Sequence, residues 1–210
     1  MKFGEIGLPS TYICFDIETS GLSFDNDHVI EIGYSFIRDG ELIQSNSTLI
    51  KMPNNLKLSK NITRITGISN YDLDTSGIEI TEALDWFSQI IDNDYPLVGH
   101  NIFRFDHPFL LRVAKREDHP IKDKLQLVRL IDTAVIYKGL KMETPMKEGE
   151  LHMLYASRIL DKPVKGLKYN LKVACEDNQV KTDDVRAHRA AADVLVTYRL
   201  YEALRQKTHT

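Results

Sequence analysis

The sequence predicts an α/β fold in which a five-stranded sheet carries helices on its faces. Two observations lead to this prediction. Short runs of β-branched and apolar residues, typical of strands, lie mainly in the first half of the chain, and segments with helical periodicity are interleaved with them and follow them. The sequence shows no internal repeat, low-complexity tract or linker, so we expect one domain spanning residues 1–210.

The composition is that of an ordinary globular protein. Of 210 residues, 42% are hydrophobic and 27% are charged, which provides enough apolar material for a buried core. The formal net charge of −3 argues against binding of polyanions through bulk positive charge, so a local basic patch or bound cations would have to hold one. Only two cysteines, no long apolar run and no leader pattern in residues 1–10 predict a soluble cytoplasmic protein without disulfides or membrane contact.

The first predicted strand ends in two acidic residues. Residues 11–15 (Thr-Tyr-Ile-Cys-Phe) are typical of a buried strand, and Asp16 and Glu18 follow directly. Side chains alternate between the two faces of a strand, so these two carboxylates point the same way. They repel each other unless a proton or a cation lies between them.

Two further strands form a predicted hairpin. Residues 29–37 and 41–50 are apolar or β-branched runs joined by Asp39 and Gly40, a pair that is typical of a two-residue turn between antiparallel strands. Glu31 lies within the second strand. It is either a third carboxylate near the first two or, as we expect for a single glutamate in a strand, a solvent-facing residue.

Helical spacing alternates with strands in the middle of the chain. We expect a short helix over 61–68 that ends at Gly67 and an amphipathic helix over 81–91 with Thr81 as its N-cap. A strand over 96–99 comes next. Pro108 then favours the first turn of a helix reaching residue 116, which places Asp106 at or just before the helix N-terminus, where an ionised carboxylate is stabilised.

A fifth strand is predicted over 127–131, and the chain is predicted to be mainly helical from Glu148 onwards. The final helix is expected over about 187–206 and contains His188 and Asp193. Positions five apart lie about 140° from each other around a regular helix, so the two side chains reach one site only if His188 lies at or before the helix start. Asp193 lies in an apolar run, and a buried aspartate needs a partner or a metal.

The four acids and the histidine together predict a metal centre. Asp16, Glu18, Asp106 and Asp193 carry four negative charges, which would neutralise two divalent cations that prefer oxygen ligands. Two such ions stabilise the attacking and leaving oxygens of a phosphoryl displacement. His188 is the candidate general base, because an imidazole is the side chain that most readily exchanges a proton at neutral pH.

Three segments also resemble, in order, the motifs of the DEDDh (DnaQ-like) 3′→5′ exonucleases. They are Asp-Ile-Glu-Thr-Ser-Gly-Leu at 16–22, Val-Gly-His-Asn-Ile-Phe-Arg-Phe-Asp at 98–106, and His188 with Asp193. The resemblance implies an RNase H-like mixed sheet, with strands one to three antiparallel and the later strands parallel to the first. Ser20 stands where the family often has a second threonine, a mild departure.

The resemblance further implies residue roles. The four acids would bind two Mg²⁺ or Mn²⁺ ions and His188 would be the general base in hydrolysis of a 3′-terminal phosphodiester to nucleoside 5′-monophosphates. Thr19 and Leu22 would contact the 3′-terminal nucleotide, while Asn101 and Phe105 match positions near the site. The expected partner is the 3′ end of a single or frayed strand, of DNA rather than RNA, and a polymerase or a second copy of the chain could also bind.

Alternatives remain open from the residues. The chain could be a DnaQ-like binding or proofreading subunit within a polymerase complex, an exoribonuclease, another two-metal nuclease or a nucleotide phosphohydrolase. The basic residues in 138–166 form either a solvated face or a grip on a nucleic-acid backbone; they are Lys138, Lys141, Lys147, Arg158, Lys162 and Lys165.

Overall fold

A computed structural model of the chain describes residues 8–147, 149–185 and 187–208. Within these ranges the strands are β1 (Tyr12–Thr19), β2 (Val29–Arg38), β3 (Glu41–Leu49), β4 (Leu97–Gly99) and β5 (Leu130–Asp132). The helices are α1 (Lys60–Thr66), α2 (Asn70–Ser76), α3 (Ile80–Ile90), α4 (Asp106–Arg116), α5 (Thr133–Lys141), α6 (His152–Leu160), α7 (Leu171–Asp177) and α8 (Ala190–Thr208). Short 3₁₀ turns cover Pro53–Asn55, Pro120–Asp123 and Leu127–Arg129.

The strands form one mixed sheet in the order β3–β2–β1–β4–β5. β1 pairs antiparallel with β2 and parallel with β4, and β5 is parallel to β4. Asp39 and Gly40 join β2 to β3 with φ values of 54° and 84°, the left-handed pair that a tight hairpin turn requires. The predicted fold class and hairpin are thereby confirmed, and the register places Asp16 opposite Gly33 and Glu18 opposite Glu31.

Alternation along β1 divides the core between the two faces of the sheet. Ile13, Phe15 and Ile17 pack in a buried cluster with residues of α3 and α4. Tyr12 and Cys14 pack in a second buried cluster that includes Val194, Leu200 and Tyr201 of α8. Because side chains alternate, Asp16 and Glu18 lie on the same face as Tyr12 and Cys14, which is the face that α8 covers.

Several element boundaries differ from the prediction. The N-cap of α3 is Glu79 and not Thr81. The Glu82 carboxylate accepts a hydrogen bond from the backbone N–H of Glu79, which is part of a capping box. The predicted strand over 127–131 is a 3₁₀ turn followed by the shorter β5. The final helix begins at Ala190 rather than near residue 187.

Two helices were not predicted, for different reasons. Leu73 is the one buried residue in α2, so α2 has no apolar periodicity and depends on the capping box between Ser69 and Asp72. In α5 every residue from Thr133 to Gly139 is buried, so no polar face reveals the helical period.

Both cysteines, Cys14 and Cys175, are buried and free, as expected. In the part of the chain that the structure describes, no helix is both long enough and apolar enough to span a membrane.

Candidate active site

Asp16 and Glu18 lie half-buried at the C-terminal part of β1 and face a cavity of about 640 Å³. Asp106, His188 and Asp193 line the same cavity, so three distant segments of the chain meet there. The site residues that the sequence predicted as acids and base therefore converge on one pocket.

Asp106 is fixed to β1 by a backbone hydrogen bond. It is the first residue of α4, it is 4% exposed, and its Oδ1 accepts the N–H of Ile17 at 3.1 Å. That bond ties α4 to the strand between the two acidic residues of β1. The expectation that Asp106 lies at a helix N-terminus is confirmed.

The loop that leads into α4 is held by the buried carboxylate of Asp132, for which the sequence predicted no role. Asp132 accepts the backbone N–H groups of Asn101 (2.9 Å), Phe103 (3.3 Å) and Ala134 (2.9 Å). Asn101 has a φ of 62°, a strained conformation that such a bond helps to maintain. The sequence signal for Asp132 was its position as the last residue of a buried strand and the N-cap of α5.

His188 precedes α8 by two residues and is exposed, as its spacing from Asp193 required. Its φ is 61°, in the left-handed region, and its backbone N–H donates to Asp193 Oδ2 at 3.2 Å. The turn before α8 therefore rotates His188 toward Asp193, which the regular helix over 187–206 could not have done.

Glu31 was expected to face solvent, and that expectation is wrong. Its side chain is fully buried, accepts two hydrogen bonds from the Arg189 guanidinium at 3.1 and 3.0 Å, and accepts the N–H of Ala190 at 3.0 Å. Ser47 donates to it as well, at 2.8 Å. Glu31 thus anchors the start of α8 to β2, directly beside His188.

Gly33 allows α8 to approach β2 closely. A Cβ placed on Gly33 would lie 2.6 Å from the carbonyl carbon of Ala190 and 2.8 Å from its oxygen. No side chain fits this gap without movement of the backbone. Glu31 and Gly33 therefore fix the same helix start, one by hydrogen bonds and one by the lack of a side chain.

Crowding of acids in this pocket raises their pKa values. Burial, and then the charges of Asp106 and Asp193, raise the pKa of Asp16 well above its ordinary value. Burial, followed by Asp193 and Glu31, raises the pKa of Glu18 to about 8. Burial also raises the pKa values of Asp106 and Asp193, in each case against hydrogen bonds that favour the ionised form. The pocket therefore holds more negative charge than its surroundings can stabilise.

The donor set fits a divalent cation. Glu18, His188 and Asp193 each offer a ligand atom, and these atoms lie within 4.8 Å of one another. Carboxylate oxygens are the ligands that Mg²⁺ and Mn²⁺ prefer, and a bound cation would offset the repulsion that raises the pKa values. Asp16 and Asp106 add two more carboxylates to the same cavity.

The four predicted substrate contacts divide into two pairs. Asn101 and Phe105 line the cavity. Thr19 and Leu22 are not among its lining residues: the Thr19 hydroxyl is buried and donates to the Gly21 carbonyl at 2.6 Å, whereas Leu22 is 80% exposed.

The sequence predicted no role for a further set of residues that line the cavity, although His100 and Arg104 stand in the 98–106 motif. This set forms one wall of the cavity and consists of His100, Arg104, Lys168, Tyr169, Asn170 and Leu171. His100 connects this wall to α5, because its ring nitrogens lie 2.8 Å from Thr133 Oγ1 and 2.9 Å from the Tyr169 carbonyl. Burial lowers the pKa of His100 to about 4, so its ring is neutral near pH 7 and one nitrogen donates to that carbonyl.

Comparison with known proteins identifies related sequences. The model of the RNase_T family, described as exonuclease, matches residues 13–201. The PolC-type DNA polymerase III of Ureaplasma parvum is 26% identical over 196 residues, which is 93% of this chain and 12% of that protein. The PolC-type enzyme of Latilactobacillus sakei is 32% identical over 152 residues, 70% of this chain and 10% of that protein. The chain thus spans about a tenth of the length of these relatives.

Solved structures share the fold. A zinc-bound complex of E. coli exonuclease I with single-stranded DNA superposes with a TM-score of 0.74 at 17% identity, covering 96% of this chain and 42% of that one. Exonuclease I from Methylocaldum szegediense gives a TM-score of 0.67 at 18% identity, covering 91% and 40% of the two chains. The RNase H-like sheet predicted from the sequence is confirmed by these likenesses.

Proposed function

The chain belongs to the RNase_T exonuclease family, and on that premise we propose that it removes nucleotides one at a time from the 3′ end of a nucleic-acid strand. The reaction is hydrolysis of the terminal phosphodiester, which releases nucleoside 5′-monophosphates. The observation that carries the proposal is the convergence of four carboxylates and His188 on one cavity, with the order and spacing of the DEDDh motifs.

Asp16, Glu18, Asp106 and Asp193 are the proposed ligands of two divalent cations, Mg²⁺ or Mn²⁺. When bound, such cations neutralise the four carboxylates and stabilise the charge that develops on the attacking and leaving oxygens. The chain's own contribution is to hold these ligands in place: Ile17 N–H orients Asp106, and the Glu31 contacts orient the start of α8.

His188 is the proposed general base, which takes a proton from the attacking water. Its exposure leaves the imidazole accessible to solvent, and its backbone bond to Asp193 keeps it beside the acids. Positioned bases of this kind contribute about 10²–10⁴ in rate.

The proposed substrate is the 3′ end of single-stranded or frayed DNA. Support comes from two similar proteins, a PolC-type DNA polymerase III and an exonuclease I bound to single-stranded DNA. Exposed Leu22, which follows the acid-bearing strand, is the proposed wedge against the terminal base, with Thr19, Asn101 and Phe105 as further proposed contacts.

The PolC-type relatives favour a second candidate within the same chemistry. In it the excision would serve a DNA polymerase, which would be a partner of the chain or a further part of the same protein. Stimulation of cleavage at mismatched primer ends by a polymerase distinguishes this role from independent degradation of single strands.

The proposal is tested by digestion of 5′-labelled single-stranded DNA and RNA with Mg²⁺ or Mn²⁺. We expect a ladder that shortens from the 3′ end, is lost with a chelator and is absent for Asp16→Ala. Asp94→Ala, which changes an exposed acid outside the cavity, is the matched control and should retain full activity. Cleavage of a circular strand, full activity of Asp16→Ala, or release of phosphate from mononucleotides alone would contradict the assignment.

A further inference from the structure

A segment rich in lysine connects α6 to α7 and borders the active-site cavity. Residues 161–170 contain Lys162, Lys165 and Lys168, and all three are exposed. Asp161 is the acidic residue of this segment, and it is already paired with Arg104 at 3.1 Å. Within the described parts of the chain, none of the three lysines forms an ion pair, so their charges are available to a ligand.

The structure separates these lysines from the other basic residues of this region. Lys138 is 2% exposed and donates to the Leu160 carbonyl at 2.9 Å. Lys141 is paired with Asp177, and Arg158 is paired with Glu150. Lys138, Lys141 and Arg158 are therefore already engaged within the protein, in contrast to the three lysines of residues 161–170.

The lysines line a groove that continues from the active site. A second cavity of about 680 Å³ is lined by Lys162 and Lys165 among others, and it shares Arg104 and Tyr169 with the active-site cavity. Lys168 lines the active-site side of this shared wall. We call this second cavity the basic groove.

The base of the basic groove is held by contacts that do not involve the exposed lysines. Arg104 donates to the Leu160 carbonyl at 3.0 Å, and the Tyr169 carbonyl is bonded to His100. The Lys138 ammonium lies 5.1 Å from the centre of the Tyr169 ring. Neutralising Lys162 and Lys165 should therefore leave the shape of the groove intact.

We propose that the basic groove binds the phosphate backbone of the single strand whose 3′ end occupies the active site, beyond the scissile bond. The inference rests on the proposed function. A chain with a net charge of −3 and four acids at its reaction centre repels a polyanion, so local positive charge has to offset that repulsion. The basic groove supplies that charge where a strand leaving the active-site cavity would pass.

The test is the salt dependence of binding to single-stranded DNA of about 16 nucleotides. The Lys162→Gln/Lys165→Gln double variant is compared with Lys60→Gln/Lys115→Gln, which changes two exposed lysines outside both cavities. Both pairs change the net charge equally. All of these binding measurements use an Asp16→Ala background to prevent cleavage.

The slope of log K against log salt is negative, and each lost phosphate contact makes it less negative by about 0.7 for a single strand. Loss of two contacts therefore makes the slope less negative by about 1.4. Between about 50 and 200 mM salt, the groove variant should consequently lose about sevenfold less affinity than the parent. The control pair should keep the parent slope. Equal slopes for the groove variant and the parent would overturn the inference.

A second measurement separates this inference from the proposed function. With Asp16 intact, the groove variant should lose kcat/KM on the long oligonucleotide about fivefold more than on an unphosphorylated dinucleotide, whose single phosphate is the scissile one. Equal losses on both substrates would overturn the inference while leaving exonuclease activity established. If the native chain cleaves neither substrate, the proposed function fails, and the slope measurement alone decides whether the groove binds a strand.

Discussion

Replacement of Gly33 by alanine should impair catalysis more than it impairs stability. Gly33 lies on β2, where an added Cβ would be 2.6 Å from the backbone carbonyl carbon of Ala190. Carbon atoms in contact normally lie about 3.5 Å apart, so α8 has to move away from the sheet by about 1 Å. His188 and Asp193 move with the helix start, whereas Asp16 and Glu18 stay on β1.

The expected magnitudes follow from this displacement. A shift of about 1 Å in a catalytic group lowers the rate about 100-fold. Overpacking lowers the free energy of unfolding by about 1–3 kcal/mol. Alanine also reduces the conformational entropy of the unfolded state relative to glycine, which offsets about 0.4–1 kcal/mol of that loss. The free energy of unfolding should therefore fall by only about 1–2 kcal/mol.

The assay measures kcat/KM on single-stranded DNA alongside urea unfolding. Ile68→Val is the control, because Ile68 is buried in a separate cluster with Leu58 and Leu73 and its loss of a methylene costs about 0.5–1.5 kcal/mol. The control should keep near-parental activity. Parental activity in Gly33→Ala, or an equal loss of activity in both variants, would refute the view that close approach of α8 positions the site.

Four further predictions concern charge. Glu31→Gln should lower the free energy of unfolding by roughly 1.5–3 kcal/mol, because the neutral amide has one acceptor oxygen where the carboxylate has two that bond to Arg189. An unchanged midpoint of urea unfolding would contradict this prediction. His188→Ala should lower kcat by about 10²–10⁴ with unchanged stability, since the side chain is exposed; a fall in melting temperature would indicate a structural role instead. Mg²⁺ at about 100 times its Kd should stabilise the native chain by about 2.7 kcal/mol, and Asp16→Ala or a chelator should abolish the shift in melting temperature. Burial lowers the pKa of His152 to about 4, so the stability that the neutral ring contributes is complete above about pH 6.5 and is lost as the pH falls toward 4. The free energy of unfolding of a His152→Phe variant should depend less steeply on pH, and an unchanged pH dependence would contradict this prediction.

The acids and the histidine that converge on one cavity could be selected from the sequence because local patterns carry them. Asp16 and Glu18 are two apart in a strand, Asp106 begins a helix, and His188 can meet Asp193 only from outside a regular helix. Each of these relations depends on the spacing of residues close together in the chain, and such spacing is visible in the sequence itself. The sheet and its hairpin were predicted for the same reason.

The supporting groups could not be predicted because their partners are distant in the chain. Glu31 resembles a solvated strand residue until Arg189, 158 positions away, is brought to it. Asp132, at the end of β5, accepts the backbone N–H groups of Asn101 and Phe103 in the loop that follows β4. The wall formed by residues 168–171 follows a segment with little periodicity, and its place beside the acids depends on the His100 bond to Tyr169.

The coverage of the sheet by α8 has a consequence for folding during synthesis. Tyr12, Cys14 and Ile37 form an apolar face that Val194, Leu200 and Tyr201 bury, yet more than 150 residues separate β2 from α8 in the chain. The ribosome makes β1 to β3 well before α8, so the nascent sheet has one uncovered apolar face until α8 has been made. Docking of α8 then buries that face and brings His188 and Asp193 to the acids of β1 in the same step. Assembly of the candidate site and protection from aggregation are therefore achieved together, as α8 packs.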